Sequence, residues 1–128
     1  MGIPGLCTFA IIVLASLTGP AAGQLVTVDG NHLMNYCDAV SSRDRVEDWA
    51  IKSGYCLGYL RAIANLQMSG VAVGGKEACF RSGTDMNEIL AVFKRYMKDH
   101  PESWHHPAQN LVTEAFALGY NCQRRTHR

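Results

Sequence analysis

Residues 46–68, VEDWAIKSGYCLGYLRAIANLQM, decide the fold of this chain. Apolar side chains recur in this stretch every three to four residues, which is the spacing of one face of an α-helix. Ser53-Gly54 is the one point where a helix would be interrupted or would begin. The stretch predicts a long central helix whose repeating positions are Trp49, Cys56, Tyr59, Leu60, Ile63 and either Leu66 or Gln67.

Three further segments, 32–40, 84–100 and 107–122, show the same helical spacing. Thr84 is expected to cap the second of these, and Pro101 to end it, because the residue before a proline avoids helical angles. Pro107 suits the first turn of the last helix. No stretch alternates long enough to require a sheet, so the sequence predicts an all-α fold of about four helices. The predicted apolar stripes are Leu33, Met34, Cys37 and Val40 in the first segment, Met86, Ile89, Leu90, Phe93, Tyr96 and Met97 in the second, and Leu111, Val112, Ala115, Leu118, Gly119 and Cys122 in the third.

The amino-terminal segment is typical of a secretory signal peptide. Residues 6–17 are apolar or small, Gly19-Pro20 follows, and small residues end the segment at 21–23. The apolar run is shorter than the roughly 20 residues of a membrane-spanning helix, which argues against the alternative of an uncleaved anchor. We therefore expect residues 1–23 to be removed and residues 24–128 to form a single exported domain, with no membrane insertion after cleavage.

Export would leave four cysteines, Cys37, Cys56, Cys79 and Cys122, in an oxidising compartment. Their spacing contains no Cys-x-x-Cys knuckle for zinc, so two disulfides are expected, with three possible connectivities. The last two helices are joined by a short connection and should lie antiparallel. Cys79 and Cys122 then fall at the same end of this hairpin, which leaves Cys37 to pair with Cys56.

Composition and motifs exclude several classes of function. Apolar residues make up 48% of the chain and charged residues 18%, which is not the balance of a disordered protein. The net charge of +1 gives no electrostatic footprint for nucleic acid. No nucleophile, phosphate-loop or haem motif is present, so we predict no enzyme activity and no cofactor. His100, His105 and His106 could coordinate zinc, but they lack a carboxylate or cysteine to complete the set.

Several motifs resemble the Rap/Tai family of immunity proteins, in the same order along residues 33–122. Residues 54–60 resemble the glycine-aromatic-Cys-Leu-Gly-Tyr signature of that family, and residues 92–96 and 100–105 follow at the matching places. The chain departs from the family pattern at residues 81–83, where a proline-containing turn is usual.

The resemblance implies a periplasmic protein, often a homodimer, that neutralises a peptidoglycan amidase effector delivered by type VI secretion. Such a protein would occlude the active-site cleft of the effector without catalysis of its own. The alternative is a periplasmic helical protein that binds something else, such as a misfolded chain under stress.

Two surfaces are candidates for contact with the partner. The first is the glycine-containing loop Val71, Ala72, Val73, Gly74, Gly75 and Lys76, whose glycines would let the backbone enter a narrow cleft. The alternative is a mobile connector tethered by Cys79. The second is the turn containing Trp104 and His105, where Trp104 could anchor an interface or fold back onto the core. Residues 55–59 are interpreted as helix packing, with Gly58 admitting a neighbouring backbone.

Overall fold

A computed structural model describes residues 27–42 and 47–123. These residues contain no β-strand beyond two isolated bridges, which confirms the predicted all-α class. The predicted signal peptide, residues 1–23, lies outside the described residues. In chain order the elements are α1 (Gly30–Val40), α2 (Trp49–Met68), α3 (Met86–Asp99), a single 3₁₀ turn (Pro101–Ser103) and α4 (Ala108–Gly119).

Helix α2 is continuous through Ser53-Gly54 and packs mainly against α1, while α3 packs against α4. The core between the two pairs is filled by large side chains that are almost wholly buried, including Phe93, Phe116, Leu33, Leu60 and Met97. At the end of the central stripe, Gln67 is the buried residue and Leu66 is exposed. The stripe of α4 was predicted to include Leu118, and that was wrong, because Leu118 is 55% exposed.

Two disulfides link the helices as the sequence predicts. Cys37–Cys56 joins α1 to α2 with a Cα–Cα distance of 5.1 Å. Cys79–Cys122 joins the segment before α3 to the segment after α4 with a Cα–Cα distance of 4.9 Å. Both members of the first pair are fully buried in the core. Each helical pair is therefore held by one covalent bond as well as by packing.

The start of α3 differs from the prediction. Thr84 does not cap the helix; its hydroxyl donates to the carbonyl of Arg81 at 2.9 Å instead. Asp85 is the cap, because its Oδ1 accepts from the backbone N–H of Glu88 at 2.9 Å. An aspartate cap suits a helix N-terminus, where the helix dipole favours negative charge. The helix ends at Asp99, directly before His100-Pro101, as predicted.

The amino-terminal end of α1 is held against the connection between α3 and α4. The backbone N–H of Gly30 donates to the carbonyl of His106, and that of Asn31 donates to the carbonyl of Trp104, each at 3.0 Å. A β-carbon on Gly30 would lie only 2.7 Å from the Trp104 carbonyl oxygen. Glycine is therefore required at position 30, because the backbone at Trp104 approaches too closely to leave room for a side chain. Gly58 is not: among the described residues no atom lies within 4 Å of the place of its β-carbon, so the packing interpretation of Gly58 was wrong.

Replacing each disulfide by an Ala pair should reveal its contribution to stability. The closed loops span 19 and 43 residues, and chain entropy assigns them roughly 3 and 4 kcal/mol. We expect both double variants to unfold at lower denaturant concentration, with the Cys79→Ala/Cys122→Ala variant the less stable. Urea titration followed by circular dichroism measures this difference.

Thiol titration of the unfolded exported wild type should find no free thiol before reduction and four after it, and free thiols before reduction would contradict the structure.

Gly30→Ala should destabilise the protein by about 1–3 kcal/mol, because the added methyl group overlaps Leu111 and the Trp104 carbonyl. Gly54→Ala is the matched control, since Gly54 also lies in a helix but faces open space. It should stabilise the protein by up to about 1 kcal/mol through helix propensity. Equal effects of the two variants in chemical denaturation would show that the close approach at Gly30 is absent.

Candidate functional site

The loop predicted to contact a partner leaves the C-terminal end of α2 and ends in a tight reverse turn. Val73 and Lys76 exchange two backbone hydrogen bonds, of 3.1 and 3.0 Å, across Gly74 and Gly75. Both glycines have positive φ, +58° and +74°, which is the pattern of a type I′ hairpin turn. We call residues 73–76 the Gly-Gly turn. Glycine is favoured at both central positions because a side chain there would strain the backbone.

Three contacts hold the Gly-Gly turn on the helical body. The side-chain Nε2 of Gln67 in α2 donates to the Lys76 carbonyl at 3.2 Å. Lys76 Nζ pairs with Glu114 Oε2 of α4 at 2.6 Å. Beyond the turn, the backbone N–H of Cys79 donates to the carbonyl of Tyr120 at 2.7 Å, beside the Cys79–Cys122 disulfide. The loop is therefore anchored at both ends on α2 and on the α4 side, which argues against a mobile connector.

The outer surface of the loop is apolar and open. Val71 is 47% exposed, and Ala72, Gly74 and Gly75 are also exposed. Apart from the adjoining residues of the chain, no described residue has an atom within 4 Å of the β-carbon positions of the two glycines. A braced loop of this kind can enter a concave surface at small entropic cost, because little freedom remains to be lost on binding. Its apolar residues would gain from being covered there.

A cavity of about 420 Å³ lies at the base of the loop. Gln67, Glu77, Phe80 and the Cys79–Cys122 disulfide are among the groups that line it. Gln67 is 4% exposed, and its Oε1 has no hydrogen-bond partner among the described residues. Sequence reasoning missed the role of Gln67. A polar residue at a stripe position, where an apolar one is expected, is the signal that could have found it.

Aromatic packing supports the far end of the loop. The ring of Phe80 lies 4.4 Å from that of Tyr120, measured between centroids. Burial, with the nearby carboxylate of Glu88, raises the pKa of Tyr120 to about 12. Burial also raises the pKa of Tyr59 and of Tyr96, so the three phenols stay neutral at physiological pH. None of the three phenols therefore offers an acid or a base near neutrality.

The second candidate, the Trp104 turn, lies on other elements. Trp104 is half-buried against the core, and its Nε1 donates to the Met97 carbonyl at 2.7 Å. His105 is exposed, and its ring lies against that of His106. The indole of Trp104 thus packs against the core, whereas His105 is exposed to solvent. The Trp104 turn lies in the connection between α3 and α4, whereas the Gly-Gly turn lies in the connection between α2 and α3.

Metal binding and membrane insertion find no support in the described ranges. Residues 27–42 and 47–123 contain no group of three or more His, Cys, Asp or Glu side chains placed to hold a metal ion. Within the same ranges, no helix has both the length and the apolar character that a bilayer crossing requires. His100, one of the three clustered histidines, stacks on Tyr96 with 4.4 Å between ring centroids.

A family model described as Rap1a immunity proteins matches residues 29–122. The match starts at the cap of α1 and ends at the last disulfide cysteine, so it covers nearly all of the described helical body. The chain belongs to the Rap1a immunity protein family. The resemblance found in its motifs is thereby confirmed. No curated protein and no solved structure matches it.

Membership in the Rap1a family identifies an immunity protein directed against a secreted effector, which is a protein that acts by binding a partner. The family is typically non-catalytic and of a secreted, periplasmic type. The two disulfides fit an oxidising compartment.

Gln67→Leu should loosen the Gly-Gly turn while leaving the helices intact, because leucine keeps the buried volume but cannot donate to the Lys76 carbonyl. We expect faster amide hydrogen exchange at Val73 and Lys76, with unchanged exchange at core positions of α3. Asn110→Leu, an exposed change in α4, is the control and should alter neither. Unchanged exchange at Val73 and Lys76 in Gln67→Leu would mean that Gln67 does not hold the turn.

Proposed function

We propose that this protein is a periplasmic immunity protein that binds a peptidoglycan amidase effector of a type VI secretion system. It inhibits the amidase by placing the Gly-Gly turn and the preceding Val71 and Ala72 in the active-site cleft. It is exported by the signal peptide at residues 1–23, acts in the periplasm and forms a homodimer. Family membership supports the immunity role, and the shape of the loop supports the mode of inhibition.

The observation that carries the proposal is a narrow, braced and outward-facing backbone turn. Two consecutive glycines without side chains give the turn a small cross-section, which a substrate cleft can accept. The disulfide and the hydrogen bond from Gln67 hold the base of the loop before any partner arrives. Occlusion of a cleft requires no chemistry from the inhibitor, and the loop contains no group that would supply any.

Charged residues on the loop should abolish inhibition without unfolding the protein. Val71→Asp/Ala72→Asp would carry two carboxylates into an apolar contact, so we expect affinity for the amidase to fall at least about 30-fold, the effect of losing one binding hot spot of 2 kcal/mol. The measurement is inhibition of purified type VI amidase effectors, tested as a panel on isolated peptidoglycan. Melting followed by circular dichroism should change little, because both side chains are exposed.

Ile51→Asp is the control, since Ile51 is also exposed but lies in the first turn of α2, about 25 Å along the helix from the end at which the loop begins. It should inhibit like the wild type. Full inhibition by the Val71→Asp/Ala72→Asp variant would move the contact to another surface, for which His105→Asp is the next variant. A wild-type protein that inhibits no member of the amidase panel would contradict the amidase proposal itself.

A further inference from the structure

The two disulfides differ in how closely solvent approaches them. Cys37 and Cys56 are each 0% exposed and lie in the core between α1 and α2. Cys79 and Cys122 are each partly exposed, and both line the cavity of about 420 Å³ at the base of the loop. Thiol–disulfide exchange depends on access to a sulfur atom. The two bonds should therefore differ in their reactivity toward a thiol while the protein is folded.

The lining of the cavity gives an attacking thiolate a route to the sulfur atoms. Gly70 and Ser82, which are exposed, form part of this lining and place its mouth at the surface. Among the described residues of the lining, Glu77 and Arg81 are charged, and their charges are opposite. A negatively charged sulfur that enters the cavity thus meets no excess of negative charge from its walls.

The accessible disulfide is also the covalent anchor of the loop that contains the Gly-Gly turn. It joins the segment before α3 to the segment after α4, across a sequence separation of 43 residues. The other contacts on this side are the hydrogen bond from Cys79 to Tyr120 and the Lys76–Glu114 ion pair. That ion pair is partly exposed, and exposed pairs contribute little to stability. Cleavage of the Cys79–Cys122 bond would loosen the loop, while the buried disulfide still joins α1 to α2.

We propose that Cys79–Cys122 is a site of thiol–disulfide exchange with a dithiol reductant, which opens this bond in the folded protein and releases the loop. The exchange itself is independent of the proposed function. The loss of inhibition that follows from the exchange rests on the proposed function. A free small dithiol and a protein with a Cys-x-x-Cys pair carry the same chemistry, and the experiment below distinguishes these two sources.

The reaction proceeds through a mixed disulfide. A thiolate of the reductant attacks the sulfur of Cys79 or Cys122, and the bond between the two cysteines breaks. The displaced sulfur leaves as a thiolate and takes up a proton. The second thiol of the reductant loses its proton and attacks the reductant's own sulfur in the mixed disulfide, which frees the other cysteine. Two electrons pass to the protein, so the protein gains two thiols and the dithiol becomes a disulfide.

Differential alkylation under native conditions tests the selectivity of the exchange. The oxidised exported protein is incubated with excess dithiothreitol, and new thiols are alkylated at intervals and mapped by mass spectrometry. We expect Cys79 and Cys122 to be labelled at least about tenfold faster than Cys37 and Cys56, because the buried pair becomes accessible only when the core opens. Equal labelling rates for the two pairs would overturn the proposal.

A second arm replaces dithiothreitol with a purified protein of the thioredoxin type, which carries a Cys-x-x-Cys dithiol. Labelling in the same order would show that a protein dithiol reaches the cavity. Labelling by dithiothreitol alone would assign the site to small dithiols, because a folded protein would then be too large to bring its thiolate to the bond.

Ser82→Trp tests whether the reductant enters through the cavity. The larger side chain at the mouth should slow the reduction of Cys79–Cys122 by dithiothreitol at least about threefold, because exchange depends on access. Ala91→Trp is the control, since Ala91 is also exposed but lies on α3 and not in the lining of the cavity. Reduction of Ser82→Trp at the rate of the wild type, with melting unchanged, would exclude the cavity as the route and overturn the proposal.

Inhibition by the selectively reduced protein tests the release of the loop. After alkylation at Cys79 and Cys122 alone, we expect inhibition of the amidase to weaken at least about tenfold, because the loosened loop must lose freedom on binding. Circular dichroism at the assay temperature should show that the helices persist. Cys79→Ala/Cys122→Ala should inhibit as weakly as the alkylated protein, and its inhibition should not change on addition of dithiothreitol.

Two results would overturn the release of the loop. One is full inhibition by the selectively reduced protein, and the other is loss of the helices together with inhibition, since the bond would then hold the fold and not the loop alone. An oxidised wild type that inhibits no member of the amidase panel would contradict the proposed function. In that case the order of labelling would still decide whether the exchange takes place.

Discussion

The covalent link between Cys79 and Cys122 is the constraint on which the candidate site depends. It joins the end of the loop that contains the Gly-Gly turn to the segment that follows α4, and the backbone hydrogen bond from Cys79 to Tyr120 lies beside it. Without this link, the contacts of the loop on the α4 side would be non-covalent, namely the Lys76–Glu114 ion pair and the hydrogen bond from Cys79 to Tyr120. The helices supply a core, but the disulfide fixes where the loop stands on that core.

Helix α2 serves the protein through three parts of its surface. Its inner face builds the core together with α1, to which Cys56 is bonded. Its last turn provides Gln67, which holds the Gly-Gly turn. Its outer face exposes apolar side chains, among them Ile51 and Leu66.

The sequence was sufficient for the helices, the disulfide pairing and the family, because these follow from the periodicity of apolar residues, from the even number of cysteines and from short motifs. It did not identify the cap of α3, because Thr84 and Asp85 are both good caps and only the backbone geometry selects between them. Leu118 and Gly58 were misjudged for a shared reason. Helical spacing shows that a residue lies on a face, but not whether another element covers that face.

The loop was identified from its composition, yet its form was not. Two adjacent glycines are compatible with a mobile linker and with a type I′ turn, and the difference lies in contacts from residues distant in sequence. Gln67 and Glu114 provide those contacts, from α2 and α4. Gln67 stands out as a polar residue at a stripe position, but nothing in the local sequence shows that Gln67 or Glu114 contacts the loop. Long-range partners of this kind are the part of a site that a single sequence cannot reveal.

The dependence of the loop on an oxidised sulfur pair has a consequence for when protection begins. In the reducing cytoplasm Cys79 and Cys122 would stay unlinked, and the newly made chain would lack the covalent anchor of its loop. Proposed as an exported inhibitor, the protein would then become competent only after it had left the compartment in which a toxin is synthesised. A producing cell could then load uninhibited effector into its secretion apparatus in the cytoplasm, while the oxidised inhibitor protects its peptidoglycan in the periplasm.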